Sequence, residues 1–227
     1  MNSSAQKPVA GFLLTLVAAL MWGILPIALK ELLAGLDATT IVWYRFLVAF
    51  VVLTAWLVMK RQLPPLLANS RGVNTMLLIA ALGLCANYFL FSYSLNFVNA
   101  ETSEALIQLT TLFLILGGVV VYGEPFVAVQ KLGTAILVAG LLLFFNDRLR
   151  GFADFDSQET IGVIIVVFAA ITWVIYALLQ KRLLRNYSSV QILVSIYAVS
   201  IVVLLPFIAP ASVLNLNSWQ FALLAFC

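Results

Sequence analysis

Seven runs of about 20 mostly apolar residues recur along this chain, the length a helix needs to cross a hydrocarbon core about 30 Å thick. They fall at roughly 9–30, 40–59, 73–96, 101–122, 126–145, 161–181 and 189–209, and an eighth opens near Trp219. From there to Cys227 only nine residues remain, roughly 13.5 Å of helix and too little to span. A water-soluble domain would have to cover these runs with a charged skin of about a quarter of its residues. Charged residues are 9% of this chain and hydrophobic ones 64%. The bilayer is the solvent that tolerates such a surface, so the expected class is an all-α membrane protein.

Several functions are excluded on the same grounds. The net charge of +3 does not point to nucleic acid, because the basic residues interrupt apolar runs and form no basic face or arm. There is no histidine, and the two cysteines, Cys85 within an apolar run and Cys227, imply neither a disulfide framework nor a metal site. No nucleophile–base pair or paired-carboxylate motif lies in the spans, so an enzyme is not expected, and neither is a cofactor. Lys7 precedes the first run as a basic start precedes a signal peptide. That run is longer than a signal core and has a counterpart later in the chain, so it reads as a retained helix.

The connections carry turn chemistry: Pro64-Pro65 after the second run, Glu124-Pro125 between the fourth and fifth, and Asn146-Asp147 after the fifth. Pro125 suits the first turn of the following helix. The longest connection, 146–160, is the natural boundary between two halves. Placing the N-terminus in the cytoplasm puts Lys7, Lys60, Arg61, Arg71, Lys131, Lys181, Arg182 and Arg185 inside. Only Lys30, Arg148 and Arg150 then lie outside, and Arg45 stays within a span. Basic residues concentrate in cytoplasmic loops, so the charge pattern selects an inward N-terminus.

Shifting the sequence by 151 residues lays the first run on the sixth. Gly11 meets Gly162, Ala18-Ala19 meets Ala169-Ala170, Trp22 meets Trp173, Lys30 meets Lys181, and Leu32-Leu33 meets Leu183-Leu184. Five runs precede the second copy, so the two copies enter the membrane from opposite sides. That is the inverted repeat of many secondary transporters. The expected domains are 9–145, a first repeat of five transmembrane helices, and 161–227, an incomplete second one. A complete pair implies ten spans in about 300 residues, so the chain reads as C-terminally truncated, with seven full helices and the start of an eighth.

The chain resembles the EamA-type carriers of the drug/metabolite transporter superfamily along nearly its whole length. The resemblance rests on Trp22-Gly23 with Pro26, on Trp43-Tyr44-Arg45-Phe46, and on Tyr88 to Ala105. Its most specific part is Gly123-Glu124 followed by Gln130, Gly133 and Gly140. It implies a ten-helix carrier of the bacterial inner membrane that moves small, amino-acid-like metabolites by alternating access, with efflux the expected direction. A truncated, non-transporting membrane fragment or assembly partner is the competing reading. The implied partners are a small-molecule substrate and the lipid bilayer, with a homodimer left open. The family often has proline in the middle of the fourth span, whereas this sequence reads Gln108-Leu109-Thr110-Thr111, so no proline kink is encoded.

Polar groups within a span are costly and gather where they find partners. Residues three or four apart share a helical face. Glu104, Gln108 and Thr111 make one such stripe, Trp173, Tyr176 and Gln180 a second, and Tyr88, Ser92 and Asn96, with Asn87 beside them, a third. Trp22 and Pro26 make a fourth. The expected substrate-binding set is Trp22, Pro26, Asn87, Tyr88, Gln108, Thr111, Trp173 and Tyr176. Against it, Asn87 and Gln108 could be helix–helix glue, and the threonines could bond their own backbone. Trp43, Tyr44 and Trp219 suit an interfacial belt, and Gly117-Gly118, Gly133 and Gly140 suit close helix packing. Arg45 is open between snorkelling, pairing with Glu101 or Glu104, and holding a substrate carboxylate. Glu124 reads as a structural cap or as the partner of Lys131. No acidic residue lies deep in a span, which argues against a central-carboxylate proton antiporter.

Overall fold

The computed structural model describes residues 8–62, 70–146 and 157–227. Lys7, Pro64-Pro65 and most of the 146–160 connection, including Asp147, Arg148, Arg150, Asp154 and Asp156, lie outside the described residues. Among those described, every regular element is helical: α1 (Pro8–Leu32), α2 (Ala38–Lys60), α3 (Arg71–Ser94), α4 (Ala100–Ile107), α5 (Leu109–Tyr122), α6 (Ala128–Phe144), α7 (Gln158–Leu183), α8 (Ser189–Leu204) and α9 (Ser218–Phe226). Six stretches are long and apolar enough to span, with α4 and α5 together making one of them. The chain is an integral, all-helical membrane protein. Outward faces are bare hydrocarbon; Val129 is 79% and Leu143 78% exposed. In water that surface would drive aggregation, whereas lipid tails solvate it at no cost.

One of the expected spans is corrected, and a second changes helix type near its end. The fifth run forms a helix of 17 residues, Ala128–Phe144, short of the about 20 that cross a membrane. Its start is late because residues 123–127 run as irregular chain, so Pro125 precedes the helix and does not sit in its first turn. The seventh run leaves α-helical geometry at Leu204, where Pro206 cannot supply a backbone donor, and continues as the 3₁₀ turns Leu205–Phe207 and Pro210–Asn215.

Five helix starts are written locally. Asp37, Asn99, Ser157, Ser188 and Asn217 cap α2, α4, α7, α8 and α9, each accepting a hydrogen bond from the backbone N–H three residues on. Gln191 and Gln220 answer back to the N–H of Ser188 and Asn217, completing two capping boxes. The turn from α1 into α2 matches the turn from α7 into α8 bond for bond at the offset of 151. Leu33, Ala34, Gly35 and Leu36 donate to the carbonyls of Leu29, Glu31, Leu32 and Leu32; Leu184, Arg185, Asn186 and Tyr187 donate to those of Gln180, Arg182, Leu183 and Leu183.

Helix α3 lies at the centre, against α7. Gly83 permits that approach, since a Cβ there would stand 3.0 Å from the Thr172 carbonyl oxygen. Asn87 is 7% exposed and donates through Nδ2 to the Ala169 carbonyl of α7 at 2.8 Å. Such an interhelical bond stabilises a membrane bundle by about 0.6–2 kcal/mol. Helix α2 packs on α8, where Trp43 Nε1 donates to the Ile201 carbonyl at 3.1 Å and the Ala209 N–H donates to Thr40 Oγ1 at 2.9 Å. Tyr44 donates to the Pro210 carbonyl. Trp43 and Tyr44 therefore tie helices together, whereas Trp219 remains exposed as a belt residue would.

The fourth span breaks at Gln108 without a proline. Gln108 N–H bonds back only three residues to Ala105, and Thr110 Oγ1 donates to the Ile107 carbonyl at 2.7 Å. A side-chain hydroxyl competing for a helix carbonyl bends the helix there. Gly117 presses on Leu178 of α7, where a Cβ would come within 2.8 Å of Cδ1. Gly133 and Gly140 have open space around them, which corrects the expectation that they pack helices.

Candidate functional site

The polar and aromatic residues converge where α2, α3, α7 and α8 meet. Arg45 lies seven residues into α2, about 10 Å along the helix, and its guanidinium carbon stands 4.6 Å from the Tyr88 ring centre. The next residue, Phe46, is fully buried and lies 5.0 Å from the Tyr88 ring and 5.3 Å from that of Tyr197 on α8. Phe46 and Tyr197 are separated by 151 residues, the offset at which the turns into α2 and α8 match. Tyr88, Tyr197 and Trp173 all pack on the buried cluster containing Tyr176, and the Trp173 and Tyr176 rings stand edge to face at 6.4 Å.

The structure brings together Tyr88, Trp173 and Tyr176 from the expected set, with Asn87 alongside. It does not bring in the others. Trp22 is 59% exposed on the outer face of α1, while Pro26, one turn on, is fully buried. Gln108 and Thr111 face outward, and the Gln108 side chain reaches only its own helix at the Glu104 carbonyl. A hydropathy pattern cannot distinguish a face turned to a cavity from one turned to lipid when single polar residues dot both. Tyr197 was missed. Its signal was the repeat offset, which pairs it with Phe46 of the Trp43–Phe46 motif.

Arg45 Nε also donates to the main-chain oxygen of Cys227 at 3.1 Å. Among the described residues no ion pair joins it to Glu101 or Glu104. Two concavities among the described residues lie elsewhere. One, of about 480 Å³, is an apolar groove between α3 and α8 bordered by Leu77, Val199 and Val202. The other, of about 450 Å³, sits at the turn into α2 beside Asp37, Tyr93 and Asn96. Neither touches Arg45 or Tyr88. Cation, hydroxyls and rings converge at the aromatic cluster, whereas the groove between α3 and α8 is an apolar seam.

A second polar cluster closes one end of the α5–α7 contact. Gly123 takes the left-handed conformation (φ 65°) that ends α5, and its N–H and that of Glu124 return to the carbonyls of Val119 and Gly118. The reversal lays the Glu124 carboxylate beside Gly118, where it pairs with Lys181 of α7. Lys181 also stands over the Tyr122 ring, and Tyr122 donates to the Leu178 carbonyl. The partner of Glu124 is thus Lys181, not Lys131, which lies over Phe126. Among the described residues no group of His, Cys, Asp and Glu could hold a metal ion.

Comparison with known proteins supplies the family. Residues 9–146 match the EamA-like transporter family. An Escherichia coli protein described as the inner membrane transporter YhbE is 38% identical over 98% of this chain and 70% of its own length. The chain belongs to the EamA-like transporter family. A Haemophilus influenzae protein described as an uncharacterized transporter is 43% identical over 85% of the chain. The chain spans 62% of that relative's length. An E. coli protein described as a probable amino-acid metabolite efflux pump is 21% identical over 89% of the chain. The relatives at 38% and 43% identity are both described as transporters.

Proposed function

We propose that this EamA-family chain carries small, amino-acid-like metabolites outward across the bacterial inner membrane by alternating access. Two copies of one repeat, 9–145 and 161–227, would rock about the Phe46–Tyr197 contact, with the N-terminus in the cytoplasm. The observation that carries the reading is the aromatic and cationic cluster shared by α2, α3, α7 and α8, helices contributed by both copies. A rigid-body exchange needs a contact near the pseudo-twofold axis that persists while the two ends open in turn, and Phe46 stacked on Tyr197 would supply one. The inner-membrane description of YhbE supports the location, and the efflux-pump description of the more distant relative supports the direction and solute class.

Among the described residues Glu104, half-buried four residues into α4, is the acid nearest to mid-span, and no acidic side chain sits at the aromatic cluster. Transport is therefore facilitated, or coupled through groups near the helix ends. Proteoliposomes containing the 227-residue chain, loaded with a broad metabolite panel, should release one solute class faster than empty vesicles. Equal release of every solute from both would refute the carrier reading and leave the non-transporting fragment.

A further inference from the structure

We propose that the groove between α3 and α8 seats an acyl chain of an anionic phospholipid, whose headgroup phosphate meets the basic residues where both helices begin. This site is separate from the aromatic cluster and does not depend on whether the chain carries a solute.

The groove is an apolar furrow with a polar lower end. Leu78 of α3 and Ala198, Val199 and Val202 of α8 wall a space of about 480 Å³, with Asn74 and Ser195 at the end nearer the helix starts. Behind it Val199 packs on the buried cluster that holds Ile192 and Ile196, so the furrow lies on the outside of a packed surface. From Ser195 to Val202 it rises about 10 Å along the helix. One leaflet of hydrocarbon is roughly 15 Å deep, half the core thickness, so an extended chain fits along the furrow from headgroup level inward.

The lower end carries the charge. Ser195 donates its hydroxyl to the carbonyl of Gln191, one turn below, at 3.0 Å. Gln191 Nε2 in turn donates to the Gln62 carbonyl at 2.9 Å. That bond holds the end of α2, with Lys60 and Arg61, beside the first turn of α8. On the opposite wall Arg71, the first residue of α3, lies one turn below Asn74 on the same helical face. Arg61 and Arg71 are both exposed. Segments 60–75 and 184–195 hold Lys60, Arg61, Arg71 and Arg185, and no Asp or Glu. Uncompensated positive charge at the mouth of an apolar furrow is complementary to a phospholipid, with its phosphate at the membrane surface and its chain beneath. Guanidinium groups take phosphate oxygens through paired hydrogen bonds, and basic sites between membrane helices bind anionic headgroups in this way. With the inward N-terminus proposed above, this end lies in the cytoplasmic leaflet. The bland reading gives the basic residues to membrane orientation alone and lets any lipid fill the furrow, with no preference between headgroups.

The test is native mass spectrometry of the full chain in detergent, titrated with equal amounts of dioleoylphosphatidylglycerol and dioleoylphosphatidylcholine. The two share their chains and differ in net headgroup charge. Unaltered protein should retain the first at least fivefold over the second. Arg61→Gln combined with Arg71→Gln should bring the two to parity. Val202→Trp, which lays a bulky ring into the furrow from an exposed position, should lower retention of phosphatidylglycerol at least threefold. Lys131→Gln, at the same membrane end but on α6, should leave the preference intact. Glycerol 3-phosphate, a headgroup without chains, should not displace the lipid. Should a variant fail to fold, the preference of unaltered protein and the glycerol 3-phosphate competition still decide. Equal retention of the two lipids by unaltered protein overturns the proposal, as does an undiminished preference in the folded double arginine variant or unchanged retention in Val202→Trp. Displacement by glycerol 3-phosphate would make this a site for free phosphate esters and overturn the lipid assignment.

Discussion

Asn87 shows how a polar residue in a span can be functional in appearance and structural in effect. Its amide reaches the Ala169 carbonyl, which Thr172 Oγ1 also approaches at 2.9 Å, so the two helices share one acceptor. Replacing it with alanine removes a buried donor and a few packing atoms. Asn87→Ala should lower bundle stability by about 0.6–2 kcal/mol, read by reversible unfolding in detergent. It should leave the apparent KM of any transported solute close to that of the parent. A large KM change at unaltered stability would instead make Asn87 a substrate contact. Gly83 belongs to the same seam. Gly83→Val would drive a side chain into the Thr172 carbonyl and separate α3 from α7, with overpacking costing about 1–3 kcal/mol in the same measurement.

At the scale of the helix, two devices act on the α4–α5 span. The break at Gln108 comes from Thr110 taking the Ile107 carbonyl, so removing the hydroxyl should allow the α-helical ladder to close. Thr110→Val is expected to slow amide exchange across residues 108–112 relative to the parent; unchanged exchange would place the cause of the break elsewhere. At the other end, Gly123 turns the chain so that Glu124 meets Lys181. Both side chains are about half exposed, 44% and 54%, which limits the pair to about 0.2–1 kcal/mol. A double-mutant cycle with Glu124→Gln and Lys181→Gln should return a coupling energy in that range, and the charge-exchanged double variant should recover most of it. Zero coupling would mean that Gly117 on Leu178 and Tyr122 on the Leu178 carbonyl hold this end alone. The Gly123-Glu124 motif was legible in the sequence, but its partner was not. Lys131, seven residues on, was as plausible a counter-ion as Lys181, and only the packing of α5 on α7 selects between them.

For the whole molecule, the inward N-terminus proposed from the loop charges is open to direct labelling. With Cys227→Ser removing the accessible thiol and Cys85 buried, single cysteines at Lys60 and Arg182 should react only with a membrane-permeant reagent in intact cells. A cysteine at Glu101 should react with an impermeant one. The reverse pattern would invert the topology and with it the proposed direction of transport.

The amino-acid sequence by itself determined the helical membrane class, the approximate place of the spans, the helix caps and the offset between the two matching segments. Each of these is local or additive: transfer free energy sums along one helix, and a cap closes within three residues. The tertiary structure decided which faces look inward. In a bilayer the apolar residues of a helix are equally well solvated on either side, so the apolar pattern alone does not say that Gln108 and Thr111 face out or that Tyr197 faces in. Only the meeting of α2, α3, α7 and α8, set by close contacts such as Gly83 on Thr172 and Phe46 on Tyr197, gathers Arg45, Tyr88, Trp173 and Tyr176 into one place.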